Sequence, residues 1–169
     1  MPKKLFFLAA ILIFVFGLFL TGCSLTPNSK QNTTNTEDQN VRRDNREGGV
    51  QVEATWMAPG HISDSSNKEL ISKYDLNTNI IFKIAMTTHM GDLTQYPILN
   101  NAELTVDGKV IKPAKWEYSS NSAHHPQGLL IFAAKDGNGN ALVKPGSKLE
   151  LVLKDLQDVP ERKFAWEQK

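Results

Sequence analysis

Three of the four histidines lie in two short polar stretches, and they are the groups in this sequence best suited to hold a metal ion. His89 follows an alternating apolar run, whereas His124 and His125 are neighbours in a later polar stretch. Imidazole binds zinc, copper, nickel and iron, and a metal site needs three or four ligands that converge from different segments. The sequence therefore predicts His89, His124 and His125 as candidate ligands for copper or zinc, with His61 as a further candidate from a third segment.

Two features of the chain limit this metal prediction. Adjacent residues in an extended chain point in opposite directions, and His125 precedes a proline, which favours extended backbone at that position. Only one of His124 and His125 is therefore expected to face a given site. Met90 and Asp92 follow His89 closely and are the nearest additional ligands. Because the histidine spacing matches no recognised metal motif, the first expectation is a protein without a cofactor, and copper or zinc is the alternative.

Other kinds of catalytic site find little support in the sequence. The chain lacks the Gly-x-Ser-x-Gly motif of a serine nucleophile and the glycine-rich loops that bind phosphate. A blue-copper centre needs a cysteine thiolate beside two histidines. Cys23 is the only cysteine, and it lies far from the histidines in sequence. The protein is therefore expected not to be an enzyme.

The elements that must position the histidines are short β-strands. Apolar and polar residues alternate over 50–56 and 80–86, which is typical of strands with one buried face. This alternation places Met86 inside the domain and His89 on the more polar side. The apolar run 128–135 predicts a strand that is covered on both faces.

The remaining turn signals complete an all-β fold. Asp107-Gly108 between two apolar segments predicts a hairpin, and the polar stretches 63–73 and 119–127 are expected to be loops. About seven short strands without a convincing helix predict a single antiparallel β-sandwich over residues 49–169. The immunoglobulin-like topology is the expected version of this fold.

A different chemical feature lies near the N-terminus, where a hydrophobic leader ends. Two lysines precede an uncharged apolar run, which is the pattern of a secretory signal peptide. The residues that end this run, Leu20-Thr21-Gly22-Cys23, closely resemble the lipobox of bacterial lipoproteins. The resemblance implies that residues 1–22 are removed and that the sulfur of Cys23 receives a diacylglycerol, so that two or more acyl chains hold the protein on a membrane.

Residues 23–48 connect this anchor to the predicted domain. They are rich in asparagine, threonine, glutamine and serine, and this composition predicts a disordered tether. Arg42, Arg43 and Arg46 alternate with acidic residues and are expected to be solvated. Without the two leader lysines, the 19 basic residues fall to 17 against 18 acidic ones. This balance lacks the basic excess that nucleic-acid binding requires.

Together these features predict a lipoprotein on the extracytoplasmic side of a cell membrane, at the periplasmic face of the outer membrane if the cell has two. The expected role is a non-catalytic binding or accessory module for an unidentified protein or small ligand. The alternative is a metal-binding lipoprotein that uses His89 with His124 or His125. A ligand or glycan site at Trp116 and Tyr118 is a third possibility.

Overall fold

Two antiparallel β-sheets pack face to face in the computed structural model, which describes residues 39–169 except Arg46, His61 and Ser63. The predicted all-β sandwich is confirmed, with nine described strands instead of about seven. The immunoglobulin-like topology stays a prediction. The leader and Cys23 lie outside the described residues, as does the predicted tether up to residue 38. None of the helices formed by the described residues is long and apolar enough to cross a membrane.

The nine strands divide unequally between the two sheets. In chain order they are β1 (Val41–Asp44), β2 (Val50–Trp56), β3 (Asn79–Thr88), β4 (Ala102–Val106), β5 (Lys109–Ile111), β6 (Lys115–Ser120), β7 (Gln127–Ala133), β8 (Lys148–Leu156) and β9 (Val159–Glu167). The first sheet has the order β1-β2-β3-β7-β6, and the second has the order β5-β4-β8-β9. Two short α-helices, α1 (Ser65–Ile71) and α2 (Ile98–Asn101), and two 3-10 turns, Glu47–Gly49 and Leu93–Gln95, lie between strands.

The core lies between the sheets, where the period-two alternation of the strands directs their apolar side chains. Met86 is buried, as predicted from the pattern of β3. The ring of Phe82 contacts Phe132 edge to face at a centroid distance of 5.9 Å and Trp166 of the second sheet at 5.0 Å. The predicted hairpin at Asp107-Gly108 joins β4 to β5, and β7 is the covered strand expected from its sequence.

The expectation of a loop over 63–73 is wrong, because α1 forms within it. The Asp64 side chain accepts hydrogen bonds from the backbone N–H groups of Ser66 and Asn67 at 3.3 and 3.1 Å, which caps the first turn of the helix. Ile71 then packs in a second apolar cluster with Ile81 and other side chains on the outer face of the first sheet. Leu70 and Ile71 are the only apolar residues of α1, and two are too few to show a helical period in the sequence.

The predicted tether ends too late, because β1 lies inside it. Residues 41–44 pair with β2, and the Asp44 carboxylate forms an ion pair with Arg162, whose side chain is buried. Arg42 donates a hydrogen bond from Nε to Ala165 O at 2.8 Å. The side chains of Asp44 and Arg42 therefore link the edges of the two sheets, whereas Arg43, with its side chain 51% exposed, lies on the solvated surface that the sequence predicted.

A polar cluster fixes the segment after α1 to β6. The Glu117 carboxylate accepts hydrogen bonds from Lys73 Nζ, Tyr74 Oη at 2.6 Å and Lys115 Nζ at 2.7 Å. The donors lower the pKa of Glu117 from 4.5 to about 2, with Lys115 contributing most.

This lowered pKa predicts an acid-dependent loss of stability. The unfolded chain takes up the proton first, so the stabilisation from Glu117 is complete above about pH 4.5 and is lost as the pH falls toward 2. Thermal unfolding measured between pH 2 and 6 should show a smaller fall in Tm for Glu117→Gln than for the unsubstituted protein. Tyr74→Phe should reduce the fall by less. Equal slopes for all three proteins would contradict the assignment.

Candidate functional site

The pairing of β3 continues past the start of β7 into the preceding segment and brings the two histidine-bearing segments side by side. Met86 N–H donates to Pro126 O and Thr88 N–H donates to His124 O, each at 3.0 Å. Strand residues that face each other in this way have Cα atoms about 5 Å apart. The predicted loop containing the histidine pair is therefore hydrogen-bonded to the chain that leads into His89.

The four residues 89–92 form an arch that is attached at both ends to this neighbouring segment. Thr88, which precedes the arch, bonds to His124 O, and Leu93, which follows it, donates its N–H to Ala123 O at 2.8 Å. The two acceptors are consecutive residues. The arch consequently stands next to His124, with His89 at its start.

A buried threonine fixes the shape of the arch. The Thr88 hydroxyl donates to Met90 O at 2.9 Å and accepts from Met90 N–H at 3.2 Å. It also lies 3.3 Å from Gly49 O, which ties the arch to the start of β2. Thr88 is 5% exposed, so these bonds are partly shielded from solvent. Thr88 could not be recognised as a functional residue from the sequence, because a threonine on a strand carries no distinguishing signal.

Asp92 closes the arch and lies near His124. Its carboxylate accepts hydrogen bonds from the backbone N–H and the hydroxyl of Thr94 at 2.9 and 2.6 Å, and from Gln95 Nε2 at 3.3 Å. The bonds from Thr94 contribute most to holding the pKa of Asp92 below its usual value, and the positive charge of His124 acts in the same direction. Asp92 is thus a fixed negative charge beside one of the histidines.

The two neighbouring histidines have different surroundings, as the sequence predicts. His125 Nδ1 lies 3.4 Å from Thr87 Oγ1, on the outer face of the first sheet. His124 instead pairs with Thr88 and lies near Asp92. The structure therefore associates His124, and not His125, with the arch.

The turn between β8 and β9 lies beside the arch. Gln157 and Asp158 form a two-residue hairpin turn with φ values of 51° and 61°. Positive φ at both positions is typical of a type I′ turn, which favours asparagine and glycine. A Cβ atom on Gly91 would lie 3.7 Å from Gln157 Nε2, so this turn is in contact distance of the arch. We call the arch, segment 121–126 and turn 155–158 the histidine end.

The opposite end of the sandwich receives the chain from its N-terminal side. Asn40 O accepts hydrogen bonds from Trp56 N–H at 2.9 Å and from Trp166 Nε1 at 2.8 Å, close to the C-terminal ends of β2 and β9. Lys169 Nζ donates to Gln39 Oε1 at 2.8 Å. We call this region the entry end. Trp56 pairs with Phe82 of β3, and the part of β3 from Phe82 to Thr88 spans roughly 20 Å between the two ends at about 3.3 Å per residue.

Of the sequence-predicted site residues, the structure brings the segments of His89 and His124 together and gives His125 a different neighbour. His61 and Cys23 lie outside the described residues. Among the residues that the structure does describe, no three His, Cys, Asp or Glu side chains are grouped so that they could hold one metal ion. Methionine is a further possible ligand, and Met90 lies within the arch with 79% of its surface exposed.

The aromatic pair proposed as a third site is mostly structural. Trp116 packs against the main core, and its ring lies 5.2 Å from that of Tyr118. Tyr118 Oη donates to Thr94 O at 3.3 Å, so the tyrosine links β6 to the turn that follows the arch.

Comparison of this chain with models of known protein families gives no match, and comparison with curated proteins gives none either.

Removing the Thr88 hydroxyl is expected to loosen the arch. Thr88→Val keeps the shape of the side chain but leaves Met90 N–H and O without this partner, which should lower the free energy of unfolding by about 1–2 kcal/mol. Hydrogen exchange at the Met90 amide should become faster. Thr78→Val is the matched control, because its hydroxyl also donates to a carbonyl, Asp75 O at 3.1 Å, but at an exposed position. Unchanged exchange at Met90 in Thr88→Val would show that the hydroxyl does not hold the arch.

Proposed function

We propose that this chain is a lipid-anchored, extracytoplasmic, non-catalytic binding module whose binding surface is the histidine end. The predicted lipid site at Cys23 precedes the domain in sequence, so the chain that comes from the anchor joins the domain at the entry end. The observation that carries the proposal is the position of the histidine end, roughly 20 Å along β3 from that junction, which is level with Phe82. The histidine end is therefore available to a ligand while the lipid anchor holds the protein on the membrane.

The form of the histidine end also supports a binding role. The arch exposes His89 and Met90, yet its backbone is fixed by the buried Thr88 and by the contacts to segment 123–124. A binding site held in one shape before its ligand arrives loses less conformational entropy on binding. The positive φ values at Gln157 and Asp158 place backbone strain beside the same arch, and such strain is concentrated at functional sites.

The lipid anchor is tested by metabolic labelling. Cells that produce the full chain should incorporate labelled palmitate into it, the protein should sediment with membranes, and Cys23→Ala should abolish both. Cys23→Ala therefore serves to separate covalent labelling from adventitious lipid. Labelling that persists in Cys23→Ala, or an unlabelled protein that is released from the cell, would contradict the anchored assignment.

A second candidate function specifies the ligand: a metal-binding or metal-delivery lipoprotein that uses His89 with His124. The hydrogen bond between Thr88 N–H and His124 O favours this function. Because His89 directly follows Thr88, the bond brings the segments that carry His89 and His124 side by side. His125, the other histidine considered for this role, lies beside Thr87 and is assigned no part in it.

Elemental analysis of the untagged protein distinguishes the two candidates. A copper or zinc content near one per chain that falls in both His89→Ala and His124→Ala, and stays unchanged in His125→Ala, would support the metal function. A metal content that is equal in all four proteins would contradict it and leave the binding module with a protein or small-molecule partner.

A further inference from the structure

The exposure of the Met90 side chain at the histidine end has no structural explanation. A methionine normally contributes to stability by being buried, and burial of such a side chain is favourable by about 1.5–3 kcal/mol. Met90 is instead 79% exposed, although its backbone N–H and O are both held by the Thr88 hydroxyl. The arch thus presents a thioether to solvent at a fixed backbone position.

The neighbours of this thioether are imidazoles. His89 directly precedes Met90. His124 lies on the neighbouring segment, where its carbonyl accepts a hydrogen bond from Thr88 N–H, just before the arch. All three side chains are exposed, so their χ angles can change without disturbing the core. Three donor groups, two nitrogen and one sulfur, can therefore converge above one short stretch of backbone.

This set of donors indicates a particular class of metal. Zinc sites in proteins use cysteine, histidine and carboxylate ligands, whereas thioether sulfur is a soft ligand that selects copper(I). Asp92, the nearest carboxylate, already accepts three hydrogen bonds from Thr94 and Gln95, which hold it in the turn that follows the arch. It supplies a negative charge near His124 and is not assigned as a ligand.

We propose that His89, Met90 and His124 form a copper(I) site at the histidine end. The proposal rests on the metal-binding candidate function and makes it specific, since it names the ion, its oxidation state and a sulfur ligand. The ligands bind as neutral imidazoles and a neutral thioether, so the site carries the +1 charge of the ion, partly balanced by the carboxylate of Asp92.

The test is an anaerobic competition titration with copper(I) and a chromogenic chelator. The mature chain, residues 23–169, is used with Cys23→Ser so that no thiol can bind copper, and a zinc titration runs in parallel. One equivalent of copper(I) should bind. Substitution of a ligand should weaken binding by at least the roughly 10–100-fold found for second-shell changes, so His89→Ala and His124→Ala should each reach that range. His125→Ala, the matched control, should match the unsubstituted chain.

Met90→Leu separates this inference from the broader metal function. It should weaken copper(I) binding by about tenfold or more and leave any zinc binding unchanged. Zinc binding that depends on the histidines, with copper(I) affinity unaffected by Met90→Leu, would overturn the copper(I) site while supporting a metal-binding lipoprotein. Failure of both ions to bind would overturn the site and the metal function together. Circular dichroism of each variant verifies that the sandwich is folded.

Discussion

Arg162→Ala should lower the free energy of unfolding by about 3–5 kcal/mol, because it leaves a charged partner without its counterion in a largely buried setting. Arg162 is 2% exposed and forms an ion pair with Asp44. Its guanidinium also donates to Val50 O and Leu156 O, each at 3.2 Å. One side chain on β9 of the second sheet therefore holds β1 and β2 of the first sheet.

Urea denaturation followed by tryptophan fluorescence measures this effect. Lys163→Ala is the matched control: Lys163 is the next residue on β9 and forms an ion pair with Glu161 at 2.8 Å, but its side chain is 54% exposed. An exposed pair contributes little, so the control should unfold nearly as the unsubstituted protein does. Asp44→Asn keeps a hydrogen-bond acceptor and should be less damaging than Arg162→Ala. Equal stabilities for Arg162→Ala and Lys163→Ala would contradict the structural role of the pair.

Gly128→Ala should be the second most damaging single change, at about 3 kcal/mol. A Cβ atom on Gly128 would lie 2.5 Å from the backbone oxygen of Glu117 and 2.7 Å from two ring carbons of Trp116. The backbone oxygen cannot rotate away, so β6 would have to move relative to β7. The effect is steric, since the Trp116 ring and the backbone of β6 occupy the space that a side chain would need.

Gly137→Ala provides the control for this prediction. Gly137 lies in the turn after β7, and a Cβ atom there would meet no atom within 4 Å. Its free energy of unfolding should change by less than about 0.5 kcal/mol, as at most surface positions. Thermal unfolding of the two variants side by side gives the comparison. A Gly128→Ala protein as stable as Gly137→Ala would show that β6 does not pack on β7 as described.

Local patterns in the sequence were sufficient to predict most of the sandwich. The alternation in β2 and β3, the Asp107-Gly108 hairpin and the covered strand β7 follow from residues that are close in the chain. Strand β1 could not be predicted in this way. Its charged residues are typical of a solvated segment, because the partner of Asp44, Arg162, is 118 residues away in sequence. Helix α1 was missed because capping by Asp64 and burial of Ile71 replace the usual apolar period.

The candidate site was predictable only in part for the same reason. The position of His89 at the end of an alternating strand and the opposite directions of His124 and His125 follow from local geometry. The attachment of the arch to Ala123 and His124 depends on the register between β3 and β7, which the sequence does not specify. The Thr88 hydroxyl bonds to Met90, two residues away, but its burial and its contact with Gly49 O depend on segments that are distant in sequence.

The most direct test of the copper site is to observe the ligands themselves. Copper(I) is diamagnetic, so NMR spectra of the imidazole nitrogens and methionine methyl groups can be recorded before and after addition of one equivalent. The signals of His89, His124 and the Met90 methyl should shift together, while those of His125 stay in place. Shifts at His125 with none at Met90, or no shift at any histidine, would contradict the proposal that the arch and His124 form the site.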